Sequence, residues 1–230
     1  MSIPSSYSLG PLLDDPASGL SFRLHEPSPA APKSLLVLLH GVGGNEGNLA
    51  SLAAAVSPDT LVVLPRGPLV FAPGQYGWFR VAFTANGPSI DAAEAEHSRL
   101  ALIRLAGQLQ ATYRIEPRHT VIAGFSQGGI LSASVGLTAP QTVAGFAVLS
   151  GRILPELEPN LADRAQLATL RAFIAHGAHD SKLPVSWAQR ADQWLDALQV
   201  PHETRIYPID HGLSAEMQAD FLDWLKAGDV

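Results

Sequence analysis

Six short apolar runs between residues 35 and 209 constrain the fold of this chain more than any other feature of its sequence. They read LLVLLH at 35–40, LVVLP at 61–65, TVIAGF at 120–125, VAGFAVLS at 143–150, RAFIAHG at 171–177 and TRIYPI at 204–209. Most are continuously apolar, which is typical of strands in a parallel sheet that is covered on both faces. Helical patterns lie between them, the clearest at 91–113, 185–200 and 214–228. The alternation predicts an α/β fold of three layers with a mostly parallel central sheet.

The segment ahead of these runs predicts an antiparallel hairpin at the N-terminal edge of the sheet. SYSLGPLL at 6–13 and GLSFRLHEP at 19–27 resemble strands, and the turn-forming residues DDPAS separate them. No internal repeat or low-complexity linker divides the chain. We therefore expect one domain over residues 1–230, a length that is sufficient to bury a substantial core.

The charge and composition of the chain argue against several classes of partner. With a net charge of -6 and no cluster of basic residues, the chain lacks the positive surface that nucleic acid requires. No apolar stretch approaches the ~18 residues of a membrane span, and the N-terminus does not resemble a secretory signal. The absence of cysteine leaves no disulfide and no thiolate nucleophile. We therefore expect a cytoplasmic protein with no cofactor and no stable membrane insertion, and the sequence is compatible with a homodimer.

Residues 66–90 form a connection that is too long for an ordinary loop of a compact domain. The segment is rich in aromatic residues, although only 7% of the chain is aromatic. Because long loops of this kind tend to be functional, we interpret the segment as a lid or a pocket wall. The candidates for the substrate pocket are Phe71, Trp78, Phe79 and Phe83. The alternative is that these side chains only cover the sheet.

A Gly-x-Ser-x-Gly pattern, GFSQG at 124–128, joins an apolar run to a helical pattern. A serine in a sharp strand-to-helix turn is exposed for chemistry at a strained backbone angle, and the residues two before and two after it must lack side chains. Gly124 and Gly128 meet that requirement. Ser126 is therefore a candidate nucleophile. The alternative is that its hydroxyl only caps the helix.

A serine nucleophile needs a histidine base, and the base needs a carboxylate to orient it. In a parallel sheet these partners follow later strands, because the carboxyl ends of the strands meet at one edge. Asp180 lies just after the fifth apolar run, and His211 lies just after the sixth. The order Ser126, Asp180, His211 is the one expected for such a fold. Asp210 is the main rival to Asp180, although its place next to His211 makes a bond to the imidazole awkward.

Two backbone N–H groups are candidates for the oxyanion hole, which stabilises negative charge on the substrate oxygen. Gln127 opens the helix after Ser126, where free N–H groups favour developing negative charge. Val42 lies in HGVGG after the first apolar run, and its glycine neighbours let the backbone approach a substrate. His40, at the start of this loop, most simply braces it by hydrogen bonding.

A nucleotide-binding protein is a competing interpretation. GVGG at 41–44 follows a strand, and Arg66 at the end of the next strand suits the 2′-phosphate of NADP. However, the glycine spacing departs from G-x-G-x-x-G, and this interpretation leaves Ser126, Asp180 and His211 without a role. A catalytically inactive binding module on the same fold is a further alternative.

A zinc site is also conceivable, because His176, His179, Asp180 and His211 are residues of the types that bind zinc. His176 and His179 are explained more simply as residues that brace a loop. We therefore expect no metal.

Four motifs together resemble the phospholipase/carboxylesterase family of the α/β-hydrolase fold, which includes the acyl-protein thioesterases and small bacterial carboxylesterases. The motifs are LLHGVGGNEGNL, GFSQGG, HGAHDSKLP and DHGLS, and the similarity runs from roughly Leu35 to Lys226. The chain departs from the family in three places. Asp210 stands where the family often has Gly, Leu183 replaces a common Val, and GQYGWFRVAF takes the place of the lid of the long-chain thioesterases.

The resemblance implies catalytic roles for Ser126, Asp180 and His211, and oxyanion roles for the N–H groups of Val42 and Gln127. It implies a serine hydrolase that cleaves carboxylic esters, or thioesters, of small or medium acyl groups through an acyl-enzyme intermediate. The expected partner is a small-molecule ester or thioester.

Overall fold

The computed structural model describes residues 8–84 and 87–228, and at 83, 84, 87 and 88 it describes the backbone alone. The strands are β1 (Ser8–Leu9), β2 (Leu13–Asp15), β3 (Leu20–Glu26), β4 (Ser34–Leu39), β5 (Thr60–Pro65), β6 (Leu69–Ala72), β7 (Gln75–Gly77), β8 (Val81–Thr84), β9 (Gly87–Ile90), β10 (Thr120–Phe125), β11 (Gly145–Leu149), β12 (Arg171–Gly177) and β13 (His202–Tyr207). The helices are α1 (Ala50–Ala53), α2 (Ala92–Tyr113), α3 (Gln127–Thr138), α4 (Arg164–Leu167), α5 (Ser186–Leu198) and α6 (Ala215–Ala227).

The central sheet contains nine of the described strands, in the order β1-β3-β5-β4-β10-β11-β12-β13, with β2 also paired to β3. All neighbours from β5 to β13 are parallel. β3 is antiparallel to β5, and β1 and β2 are antiparallel to β3. The predicted mostly parallel sheet with an antiparallel N-terminal hairpin at its edge is therefore confirmed.

Strand β4 shows why the apolar runs are continuous. All six of its residues are buried, and successive side chains of a strand point to opposite faces. Leu35 and Leu39 belong to the apolar cluster that contains residues of α2, α3 and α5. Leu36 and Leu38 belong to a second cluster, with residues of α1 and α6. The sheet is thus covered by helices on both faces, which gives the three predicted layers.

The structure differs from the sequence-based expectation in residues 66–90, which fold into two antiparallel hairpins instead of a loop. β6 pairs with β7, and β8 pairs with β9. The first hairpin turns at Pro73 and Gly74, and Gly74 has a φ of 74° that glycine adopts without steric cost. Tyr76 forms a β-bridge with Gly44, which attaches this hairpin to the loop after β4.

The parallel strands place the segments that follow β4, β10, β12 and β13 at one edge of the sheet. The element order and the strand order are those expected if the chain has the predicted α/β-hydrolase fold. β13 begins at His202, two residues before its predicted start, and ends before Pro208, which has no N–H to donate. Within the described ranges, no helix is both long and apolar enough to cross a membrane.

Candidate active site

Ser126 lies between β10 and α3 in a strained backbone conformation. Its φ of 53° and ψ of -114° form a combination that residues other than glycine rarely adopt. Its N–H donates to the carbonyl oxygen of Leu149 at 2.8 Å. A Cβ on Gly124 would lie 2.3 Å from the carbonyl carbon of Gly128, and a Cβ on Gly128 would lie 2.2 Å from the carbonyl oxygen of Leu39. The packing of this turn therefore requires glycine on both sides of the serine.

The hydroxyl of Ser126 is directed to His211. Its Oγ lies 3.0 Å from Nε2 of His211, and Nδ1 of His211 lies 2.7 Å from Oδ2 of Asp180. The hydroxyl makes no capping hydrogen bond to α3, so the helix-cap interpretation does not describe its contacts. Because the Asp180 carboxylate accepts the Nδ1–H bond, Nε2 is left unprotonated and is able to accept the hydroxyl proton.

The Asp180 side chain is fully buried and is held by backbone donors. Its Oδ1 accepts hydrogen bonds from the N–H groups of Lys182 at 2.9 Å and Leu183 at 2.7 Å. Nε2 of His176 lies 3.4 Å from Oδ2 and donates to the carbonyl oxygen of Leu183 at 2.7 Å. These donors compensate the burial of a charge, and they fix the carboxylate that faces His211.

Asp210 bonds to the backbone and not to the imidazole ring. Its Oδ1 accepts from the N–H groups of Ser181 and His211, each at 2.7 Å, and its Oδ2 accepts from the Ser181 hydroxyl at 3.2 Å. The backbone bonds from Ser181 and His211 lower the pKa of Asp210 to about 2. Asp210 therefore ties together the loops after β12 and β13, while the ring of His211 contacts Asp180.

Two residues that the sequence analysis missed position His211. The ring centroid of Phe125 lies 5.0 Å from that of His211. Ser150 is buried at a φ of 51° and donates its hydroxyl to the carbonyl oxygen of Gly212 at 2.9 Å. The N–H of Ser150 donates to the carbonyl oxygen of Ala175 at 2.7 Å. Ser150 thus joins the end of β11 to β12 and to the loop that carries the histidine.

Val42 lies in the loop after β4 and lines the same cavity as Ser126. Hydrogen bonds to Tyr76 hold this loop. The N–H of Gly43 donates to the carbonyl oxygen of Tyr76 at 2.8 Å, and the N–H of Tyr76 donates to that of Gly44 at 2.7 Å. The backbone of residues 41–44 is therefore held in a loop that lines the same cavity as the serine, and the oxyanion role of the Val42 N–H stays a prediction.

His40 braces this loop from the buried side. Its Nδ1 donates to the carbonyl oxygen of Gly41 at 2.7 Å, and its Nε2 accepts from the N–H of Gly67 at 3.0 Å. Trp78 donates its indole N–H to the carbonyl oxygen of His40 at 2.9 Å. Burial lowers the pKa of His40, which favours the neutral ring that one donated and one accepted bond require.

The buried side chain of Gln127 fixes the backbone that follows β7. Its Oε1 accepts from the N–H of Trp78 at 2.8 Å, and its Nε2 donates to the carbonyl oxygen of Phe79 at 2.6 Å. As the first residue of α3, Gln127 has a backbone N–H without a partner in the helix. The residue thus combines a candidate oxyanion donor with a clamp on the wall of the cavity.

A cavity of about 660 Å³ opens beside the Ser126 hydroxyl. Its apolar lining consists of Val42, Phe71, Phe79, Val81, Ile90, Phe125, Ile130 and Leu183. Of the predicted pocket residues, Phe71 and Phe79 lie in this wall. Trp78 does not line the cavity, and its ring packs in the core beneath the helices on that face of the sheet. The backbone of Phe83 lies in β8, and its side chain lies outside the described part of the structure.

The structure does not bring the four residues considered for zinc together as one set of ligands. Among the described residues, the group of three or more such side chains whose ligand atoms all lie within 4.8 Å of one another consists of Asp192, Asp196 and His202. His202 begins β13, so this group lies at the opposite edge of the sheet from the serine.

Arg66 is already bonded to a carboxylate. Its Nε donates to Glu46 at 2.9 Å, its guanidinium lies 4.4 Å from the ring centroid of Tyr76, and Arg23 bonds the same carboxylate at 2.9 Å. Burial alone would raise the pKa of Glu46, but the bonds from Arg66 and Arg23 lower it to about 2. Arg66 therefore completes a buried ion network and is not free to bind the 2′-phosphate of NADP.

Known proteins resemble this chain in sequence and in fold. The sequence profile of the Phospholipase/Carboxylesterase family matches residues 25–227. Acyl-protein thioesterase 1 of Kluyveromyces lactis is 28% identical over 176 residues, which cover 71% of this chain and 77% of that protein. A probable carboxylesterase of Oryza sativa subsp. japonica is 25% identical over 238 residues, covering 92% and 85%. A solved carboxylesterase from Mesorhizobium loti has the same fold, with a TM-score of 0.78 at 24% identity over 94% of this chain and 98% of that one.

Proposed function

The chain belongs to the phospholipase/carboxylesterase family, and from this premise we propose that it hydrolyses carboxylic esters or thioesters of small or medium acyl groups through an acyl-enzyme intermediate on Ser126. The observation that carries this proposal is the chain of contacts from the Ser126 hydroxyl through His211 to Asp180, at 3.0 Å and 2.7 Å. The alternative is a catalytically inactive binding module, and labelling of Ser126 with a fluorophosphonate distinguishes the two.

Acylation begins when Nε2 of His211 accepts the proton of the Ser126 hydroxyl. Oγ then bonds to the carbonyl carbon of the substrate, and the electrons of the carbonyl double bond move onto its oxygen. The N–H groups of Val42 and Gln127 donate to that oxyanion. The tetrahedral intermediate collapses, the bond to the alcohol or thiol breaks, and the leaving group takes the proton from His211.

Deacylation repeats these steps with water as the nucleophile. His211 accepts a proton from the water, the resulting hydroxide attacks the acyl carbon, and Ser126 leaves with the proton as the acid is released. Asp180 stays ionised throughout. It holds the imidazole in the tautomer that accepts at Nε2, and it stabilises the imidazolium formed in each half-reaction.

The experiment that tests this proposal is the intact-protein mass after incubation with a fluorophosphonate, which labels activated serines. Wild type, Ser126→Ala and the control Ser51→Ala, an exposed serine on α1, are compared. We expect one adduct on wild type and on the control and none on Ser126→Ala, together with a loss of at least about 10³-fold in esterase kcat for Ser126→Ala. A folded wild type that takes no adduct, or an adduct that persists in Ser126→Ala, would favour the binding module.

Three finer properties are proposals as well. A series of 4-nitrophenyl esters and acyl thioesters of increasing chain length tests the preference for small or medium acyl groups. The cysteine-free composition supports a reducing location such as the cytoplasm, which cell fractionation tests. Sedimentation equilibrium decides between a monomer and a homodimer.

A further inference from the structure

Arg152 is a buried cation in the wall of the active-site cavity. It lies in the segment after β11, is only 6% exposed, and lines the same cavity as Ser126. Its guanidinium carbon lies 4.6 Å from the ring centroid of Trp187. Within the part of the chain that the structure describes, no hydrogen bond or ion pair reaches this guanidinium.

Three other partly buried arginines have carboxylate partners. Arg23 and Arg66 share Glu46, and Arg99 bonds Glu96. In contrast to these, Arg152 carries five N–H donors and a permanent charge with no bonded acceptor among the described residues, and the exposed carboxylate of Glu156 attracts it only through space. A buried charge without a hydrogen-bonded partner is costly, so its place beside Ser126 points to a bonding partner supplied from outside the chain.

The composition of the cavity indicates the sign of that partner. The described lining includes the cations Arg80, Arg152 and Lys182 and no aspartate or glutamate. Arg80 forms an ion pair with Glu94, and Lys182 is exposed, which leaves Arg152 as the buried cation without a bonded partner. The rest of the wall is mainly apolar. A ligand that fills this cavity therefore combines an apolar body with an anionic group.

We propose that Arg152 binds a carboxylate of the substrate, so that the preferred substrates are esters or thioesters that carry a free carboxylate, such as half-esters of dicarboxylic acids. A guanidinium donates two parallel hydrogen bonds to a carboxylate, and Trp187 covers one face of the guanidinium so that its edge stays available for that pairing. This inference rests on the proposed function of Ser126 and adds the class of substrate. Arg152 is then a residue that determines specificity, and it takes no part in proton transfer.

The test compares two substrates that release the same chromophore. 4-Nitrophenyl hydrogen adipate carries a carboxylate at the end of its acyl chain, and 4-nitrophenyl methyl adipate is its neutral counterpart. In wild type we expect the higher kcat/KM for the anionic substrate. In Arg152→Met we expect kcat/KM for the anionic substrate to fall about 10- to 100-fold, mainly through KM, with the neutral substrate within about threefold of wild type.

Two further variants sharpen the result. Arg152→Lys keeps the charge but loses the planar fork, so it should retain part of the preference. Arg118→Met removes an exposed cation that lies outside the cavity lining, so its ratio of anionic to neutral activity should stay within about threefold of wild type. If urea titration shows that Arg152→Met does not fold, Arg152→Lys provides the test. A drop of at least about fivefold in the ratio of anionic to neutral activity supports the proposal, and an unchanged ratio overturns it.

A second pair locates the carboxylate. 4-Acetoxybenzoate carries it on the leaving group, and methyl 4-acetoxybenzoate is the neutral form. If the preference for the anionic substrate depends on Arg152 in the adipate pair, the carboxylate binds on the acyl side. If it depends on Arg152 in the acetoxybenzoate pair, the carboxylate binds on the alcohol side. If wild type hydrolyses the neutral esters and Arg152→Met changes neither ratio, the Arg152 proposal is wrong while the serine hydrolase stands. If wild type hydrolyses no ester and takes no fluorophosphonate, the proposed function itself fails.

Discussion

Replacing Gln127 by methionine should separate the side-chain role of this residue from its backbone N–H. Methionine has nearly the same length and helix propensity but cannot bond to Trp78 or Phe79. Gln127 is 3% exposed, so the N–H of Trp78 and the carbonyl oxygen of Phe79 would lose their buried partners. At about 1–3 kcal/mol for each group left unsatisfied, we expect a loss of about 2–6 kcal/mol in the free energy of unfolding.

Urea unfolding followed by far-UV circular dichroism measures this loss. With a slope of about 2–3 kcal/mol per molar urea, the midpoint should fall by about 0.7–3 M. The matched control is Gln189→Met, which makes the same chemical change at an exposed position of α5 and should stay within about 0.5 kcal/mol of wild type. Equal midpoints for the two variants would refute the claim that the Gln127 amide clamps the cavity wall.

Three further predictions concern the site and its surroundings. Ser150→Ala removes the hydrogen bond to Gly212 and should lower kcat/KM about 3- to 30-fold. Ser150→Gly should be as slow as Ser150→Ala. In urea titrations it should be more stable than Ser150→Ala by about 1 kcal/mol, because glycine adopts the φ of 51° without strain. Glu46 has a pKa of about 2 in the fold against an ordinary 4.5, so its contribution to stability is complete above pH 4.5 and is lost as the pH falls toward 2. Between about pH 6 and pH 3, wild type should therefore lose about 2 kcal/mol more than Glu46→Gln in urea titrations, and equal losses would contradict the ion network. Gly128→Ala should give little soluble folded protein on gel filtration, because its Cβ would lie 2.2 Å from a carbonyl oxygen of β4.

The sequence predicts best those features that leave a local signal. Burial on both faces of the sheet makes β10 and β12 continuously apolar, and both strands begin and end where the runs predict, at Thr120–Phe125 and Arg171–Gly177. The proximity of Ser126, Asp180 and His211 follows from one further rule, that the carboxyl ends of parallel strands share an edge. Their catalytic roles stay predictions for the labelling experiment to test.

Features that depend on distant contacts were not predictable in this way. The amide of Gln127 bonds to residues 48 and 49 positions away, and the hydroxyl of Ser150 bonds to a carbonyl 62 positions away. Trp78 and Phe79 are neighbours in an aromatic segment, and both pack in the core, but only Phe79 also lines the cavity. This difference depends on the path of the backbone, which the sequence pattern does not indicate. The dipeptide Pro73-Gly74 is a turn signal that would have indicated the first hairpin of this segment.

The order of the strands has a consequence for how this protein loses its activity. β10, which carries the nucleophile, lies inside the sheet between β4 and β11, whereas β13, which leads to His211, is at an edge and has one strand neighbour among the described residues. Amide hydrogens of an edge strand exchange with solvent through small local openings, at a lower free energy than global unfolding requires. On mild heating, the base should therefore come away from Ser126 while most of the sheet persists, so that turnover disappears several degrees below the melting of the fold and returns at once on cooling.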